Sequence, residues 1–270
     1  MSKYINQSDI PTVQIYDSDV PEYKIQTSVS SILGTRKNQQ DSAFVQSDHD
    51  LTVGIVCDGM GGLNAGEVAS QMAVTQFIED FYREKVSDIP LFMEKEIVKI
   101  DQNVFDARDE NGQKLGAGTT LVAVIIYKDQ MYCASVGDSR IYLIRNSKIH
   151  PLNRLHNYRE QLDRMLKQEL ITEEEYKKEE VKAEALTSFV GMGNLLILDV
   201  TKKPMPLCNG DIILLCSDGL YKALSEEQMQ KVVENHNIPW KIKANALTKK
   251  AEDASFSKQD NTTAILIKYN

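Results

Sequence analysis

LTVGIVCDGMGG, residues 51–62, is the stretch on which the fold turns. It starts as a β-branched apolar run, breaks at Asp58-Gly59 and enters a glycine-rich turn ahead of a helical pattern. The same arrangement recurs. Ile212 to Cys216 runs into Ser217-Asp218-Gly219, and Cys133 to Val136 runs into Gly137-Asp138-Ser139-Arg140. Asp260-Asn261 precedes the last apolar run, and Asp41 follows Arg36-Lys37-Asn38-Gln39-Gln40 at the head of another. A lone Asp-Gly is most often only a turn. Five acidic motifs abutting strands are harder to dismiss, because converging carboxylates repel unless a cation neutralises them. Oxygen donors with no histidine nearby point to Mg²⁺ or Mn²⁺ and away from zinc. Spacing alone leaves open whether the five converge.

Working outward, strands are expected at 23–32, 42–46, 51–57, 119–127, 131–136, 140–145, 212–216 and 262–268. Lys128-Asp129-Gln130 is a hairpin-length link, and such short links favour antiparallel pairing. Two helices fall between 57 and 119. Ala65, Ala69, Met72, Ala73, Phe77 and Phe81 share one face; Met93, Ile97, Ile100 and Val104 share another. Further helices are expected at 225–234, with Ser225 as N-cap, and at 241–253. Strands in runs with helices in pairs between them indicate an α+β fold.

Residues 155–185 have a different texture, rich in Arg, Glu and Lys, with a capping box at Thr172–Glu175. They read as a helical excursion, either a solvated hairpin or a flap over a site. Residues 1–22 are polar and read as a tail, although VQIY at 13–16 has the pattern to join a sheet edge.

The net charge of −8 argues against general nucleic-acid binding, which draws on basic surface. The longest apolar run, Leu121 to Tyr127, is far short of the ~20 residues of a membrane helix. The N-terminus carries no signal-peptide core, and Cys57, Cys133, Cys208 and Cys216 lack CxxC spacing. The expectation is a soluble cytoplasmic protein with free thiols, three of them in or beside apolar runs. Neither a P-loop nor GxSxG is present, and the glycine-rich turn is not a dinucleotide fingerprint. His49, His150, His156 and His236 are scattered and read as surface or turn residues; Ser139 reads as a structural hydroxyl.

The ordered set Arg36…Asp41, Asp58-Gly59-Met60-Gly61-Gly62, Gly118-Thr119-Thr120-Leu121, Val136 to Arg140, Ser217-Asp218-Gly219-Leu220 and Asp260-Asn261-Thr262-Thr263 resembles the metal-dependent Ser/Thr protein phosphatases of the type 2C class. The six pieces occur in that family's order across 23–268, and DGMGG resembles its bacterial branch. The resemblance implies a four-layer αββα sandwich, two antiparallel sheets flanked by helix pairs, as one domain over 23–270. It implies two Mn²⁺ or Mg²⁺ ions, with Asp58 bridging both, the Gly59 carbonyl on one, and Asp218 and Asp260 each on one. Asp41 would hold a metal-bound water, Arg36 would grip the substrate phosphate, and Asp138 with Asp218 would form a third metal site. The implied reaction is hydrolysis of phosphoserine and phosphothreonine esters by direct attack of a metal-bridging hydroxide. Its implied setting is a monomer acting on phosphorylated proteins, the substrates of a Ser/Thr kinase. Met60 stands where eukaryotic members carry a histidine, Leu155-His156-Asn157 replaces Asp-His-Ser, and Thr187-Ser188-Phe189 lacks the family's arginine. Two rivals are a pseudophosphatase that only binds phosphoproteins and a hydrolase of small phosphate esters.

Overall fold

Side chains alternate across a strand, so a run that is apolar at every position must be buried on both faces. Leu121 to Tyr127 is such a run. In the computed structural model, which describes residues 25–62, 65–255 and 258–270, it lies between two apolar layers. Leu121, Ala123 and Ile125 face one layer; Val122, Val124 and Ile126 face the other.

In chain order the elements are β1 (Ile25–Ile32), β2 (Asp41–Asp48), β3 (Leu51–Met60), α1 (Ala65–Arg83), α2 (Ile89–Asp106), β4 (Gly118–Thr119), β5 (Leu121–Tyr127), β6 (Gln130–Val136), β7 (Arg140–Arg145) and β8 (Lys148–Pro151). There follow α3 (Tyr158–Lys167), α4 (Glu173–Glu179), β9 (Asp199–Val200), β10 (Met205–Pro206), β11 (Ile212–Cys216), α5 (Asp218–Tyr221), α6 (Glu226–Val233), α7 (Lys243–Ser255) and β12 (Thr262–Tyr269). One antiparallel sheet has the order β1-β12-β11-β7-β8. The other runs β10-β6-β5-β3-β2, with β4 added to β3 and β9 to β6. Val56, Ile213, Leu215, Ile265 and Ile267 fill the space between the sheets. The pair α1 and α2 covers the outside of the second sheet through Phe77, Met93 and Ile97. The pair α6 and α7 covers the first through Met229, Val233 and Leu247. This is the expected four-layer α+β sandwich.

Three differences have physical causes. The run expected at 119–127 is interrupted at Thr120, whose N–H and hydroxyl are both spent on the backbone of Asp58. The hairpin after β5 is tighter than expected, because Tyr127 pairs directly with Gln130 across Lys128-Asp129, with Lys128 at φ 59°. Strands β8, β9 and β10 are too short to display a period. The expected tail at 1–22 lies outside the described residues.

The segment 155–185 forms the helices α3 and α4. Asn157 caps α3, and Thr172 and Glu175 close the capping box of α4. Leu170 and Val181 are exposed, but His156, Asn157, Leu162 and Ala183 are buried. The two ends are tied together at the base by Tyr158 N–H to the Ala185 carbonyl, Arg159 N–H to Ala183 and Thr187 N–H to His156. The excursion proper is therefore narrower than 155–185.

Candidate functional site

The strand ends from both sheets meet at one edge of the sandwich, and the acidic motifs meet there too. Asp58 ends the straight part of β3 and pairs across the sheet with Asp41, the first residue of β2. The Asp58 backbone is clamped: its N–H donates to Thr120 Oγ1, and its carbonyl accepts from the Thr120 N–H and Thr119 Oγ1. Beyond it the chain must pass the start of α1 at very close range. A Cβ on Gly59 would collide with the Gly66 carbonyl, and the Gly59 N–H donates to the Gln40 carbonyl.

Asp138 sits in the turn that carries the chain from β6 in one sheet to β7 in the other. Gly137 adopts φ 94°, a backbone region that favours glycine, and the Asp138 carbonyl accepts from the Tyr221 hydroxyl at 2.9 Å. Asp218 opens α5 directly after β11. Asp260 precedes β12 and accepts at 2.6 Å from Arg36 Nη2, which reaches over from the β1–β2 loop.

Asp58 feels all four other carboxylates. Burial first, then Asp41, Asp218, Asp138 and Asp260, pushes its pKa well above the usual range. Burial raises Asp41 to about 7 against the pull of the Ser217 and Thr263 hydroxyls. Burial, then the charge of Asp218, raises Asp138 to about 6. The charges of Asp260, Asp218 and Asp58 all act on Arg36. The structure thus brings together Asp41, Asp58, Asp138, Asp218, Asp260 and Arg36.

Among the described residues, no three acidic, imidazole or thiol side chains close into a ready ligand shell. Each outer carboxylate holds a partner of its own: Asp260 has Arg36, Asp218 has Lys222, and Asp41 has Ser217. Two oxygens are left over. Asp41 Oδ1 and Asp218 Oδ1 are buried and have no hydrogen-bond partner. Leaving such atoms unsatisfied is costly unless something binds them. An all-oxygen donor set, electrostatically frustrated and carrying two orphaned oxygens, fits a hard divalent cation.

Several supporting residues lie inside the quoted motifs, although the sequence does not show what most of them hold. Ser217 Oγ donates to Asp41 Oδ2 at 2.7 Å and accepts from the Thr263 N–H, which joins β11, β12 and β2. Thr120 and Ser139 share a hydroxyl hydrogen bond at 2.7 Å, so Ser139 is structural as expected. His156 departs from its surface reading. It is buried, its Nδ1 accepts from the Gly137 N–H, and its Nε2 lies 3.2 Å from Asp199. Burial, opposed by Asp199, lowers its pKa. Its proximity to the Gly137-Asp138 turn could have been found only by knowing that Leu155-His156-Asn157 returns there. His49, His150 and His236 are exposed. Of the four free thiols, only Cys208 is exposed.

The family model described as Protein phosphatase 2C matches residues 18–164. A serine/threonine phosphatase of Listeria welshimeri is 30% identical over 242 residues, covering 86% of this chain and 90% of the relative. The S. agalactiae serine/threonine phosphatase superposes with a TM-score of 0.78 at 26% identity, covering 91% of this chain and 100% of that one. The catalytic domain of the phosphatase PstP, solved in complex with 2 manganese ions, superposes with a TM-score of 0.69 at 26% identity, covering 90% and 97%.

Proposed function

Because this chain belongs to the protein phosphatase 2C family, we propose that the acidic cluster at the sandwich edge is where it removes phosphate from phosphoserine and phosphothreonine. The chain is a protein-serine/threonine phosphatase and its substrates are phosphoproteins. One observation carries the assignment of the site: five carboxylates converge at the sandwich edge, where burial and the other four raise the pKa of Asp58, while two of their oxygens stay buried and unpartnered.

In this reading Asp58, the Gly59 carbonyl, Asp218 and Asp260 would be the protein groups that hold two Mn²⁺ or Mg²⁺ ions. When bound, such ions make a water acidic enough to lose its proton near neutral pH and offset the negative charge of the phosphate. The chain's own groups do the rest. Ser217 holds one oxygen of Asp41 and leaves Oδ1 to orient a water. Arg36, at the rim, offers the free part of its planar fork to phosphate oxygens.

A covalent cysteine route is disfavoured. Burial keeps Cys57 well above the ordinary thiol range and Cys133 up at about 12, so neither is a thiolate at neutral pH. In this reading water attacks phosphorus directly, and the products are inorganic phosphate and the free alcohol. We place the enzyme in the cytoplasm as a monomer opposed to a Ser/Thr kinase, since the ester it cleaves requires a kinase to form it. No helix among the described residues is long and apolar enough to cross a membrane.

The test is phosphate release from a phosphothreonine peptide. Release should require Mn²⁺ or Mg²⁺ and stop with EDTA. Asp58→Asn or Asp218→Asn should lower kcat at least 10³-fold, about 4 kcal/mol. Near-native turnover in either variant would reject the assignment.

A further inference from the structure

Lys222 stands where the resemblance places a cation of another kind. It follows α5, one helical turn after Asp218, and its Nζ donates to Asp218 Oδ2 at 2.6 Å. The same nitrogen lies 3.2 Å from Glu184 Oε2 and 3.9 Å from Asp138 Oδ2. An ammonium is a compact charge with three N–H donors, suited to three converging carboxylates.

We propose that the Lys222 ammonium is a built-in cation that takes the third metal position between Asp138 and Asp218, and that through Glu184 it ties the excursion over 158–184 to the metal centre. The inference rests on the metal centre assigned above.

Three observations support it. First, the two oxygens of Asp218 have separate uses. Oδ2 is held by Lys222, whereas Oδ1 is buried without a partner. Lys222 thereby fixes the rotation of the carboxylate and directs the unpartnered oxygen, which makes it a positioning residue. Second, Mg²⁺ needs oxygens at about 2.0–2.1 Å, and neither it nor the larger Mn²⁺ can enter between Asp138 and Asp218 while the ammonium lies there. Third, Glu184 is shared. Its Oε1 accepts from Arg159 Nε and Nη2 at 3.1 and 3.0 Å, while Oε2 faces Lys222. Arg159 belongs to α3, so the chain of contacts runs from the excursion to a ligand of the metal centre.

The experiment counts Mn²⁺ per chain by native mass spectrometry and follows amide hydrogen exchange over 158–184. Lys222→Met should bind one Mn²⁺ more than the wild type and exchange those amides at least tenfold faster. Glu184→Gln should speed exchange but keep the wild-type count. Asp138→Asn should also keep the wild-type count, which tests the third position without altering Lys222. Loss of an ion in Asp138→Asn, or an unchanged count and unchanged exchange in a folded Lys222→Met, would overturn the inference while leaving the metal centre standing. Absence of Mn²⁺ from the wild type itself would overturn both.

Discussion

Arg36 touches Asp260 through one guanidinium nitrogen, and its side chain is 58% exposed. Among the described residues no other hydrogen bond holds the fork, which leaves its remaining N–H groups for a ligand. Arg36→Ala should lower kcat/KM toward a phosphopeptide by about 2–4 kcal/mol, the scale of losing one charged partner in a desolvated pair. Mn²⁺ affinity, measured by titration, should not weaken, because the arginine competes with a cation for Asp260. A variant that loses metal would show that Arg36 is structural. At this scale the sequence was legible for charges and nearly blind to the neutral groups that hold them. An aspartate at a strand end advertises itself. Ser217, which fixes Asp41 from another strand, and Thr120, which clamps the Asp58 backbone, are ordinary residues whose value comes from a fold that spacing cannot show. His156 was misread for the same reason: nothing local indicates that its ring lies against Gly137.

Among elements, the strongly periodic ones were legible. Helices α1 and α2 carry apolar faces long enough to count, and both capping boxes or caps expected at Thr172 and Ser225 formed. The failures were short: β8, β9, β10 and α5 span too few residues to repeat anything, and tertiary pairing creates them. The excursion α3–α4 allows a test of its role. Its base is closed by the hydrogen bonds of Tyr158 and Arg159 with Ala185 and Ala183, so a short Gly/Ser linker can replace 160–182 without stretching the chain. Hydrolysis of a small chromogenic ester should stay within about tenfold, ~1.4 kcal/mol. Activity on a phosphoprotein should fall much further. Equal losses on both substrates would remove the idea that this segment selects proteins, and an unfolded product would place it in the core.

Across the whole molecule, the layer between the sheets joins two halves that each contribute to the site. Asp41 and Asp58 come from one sheet, Asp218 and Asp260 from the other, and Asp138 from the link between them. Folding without cations forces these carboxylates together at a cost. The folded pKa of Asp41 lies near 7, against 3.8 in a free chain, so the folded form binds the proton more tightly. Its metal-free stability should therefore fall as pH climbs from about 4 toward about 7. Asp58 is displaced in the same direction. In EDTA at neutral pH, Asp58→Asn should be more stable than the wild type, read as a higher urea midpoint. With Mn²⁺ the order should reverse, since a ligand at a hundredfold excess over Kd adds about 2.7 kcal/mol. A less stable variant in EDTA would show that the carboxylates are not under strain. Because the proposed ligands span both sheets, a bound ion would act as a removable rivet through the sandwich. Scarcity of divalent ions would then shorten the protein's lifetime against proteases as well as silence it, so that idle copies are the ones most readily cleared.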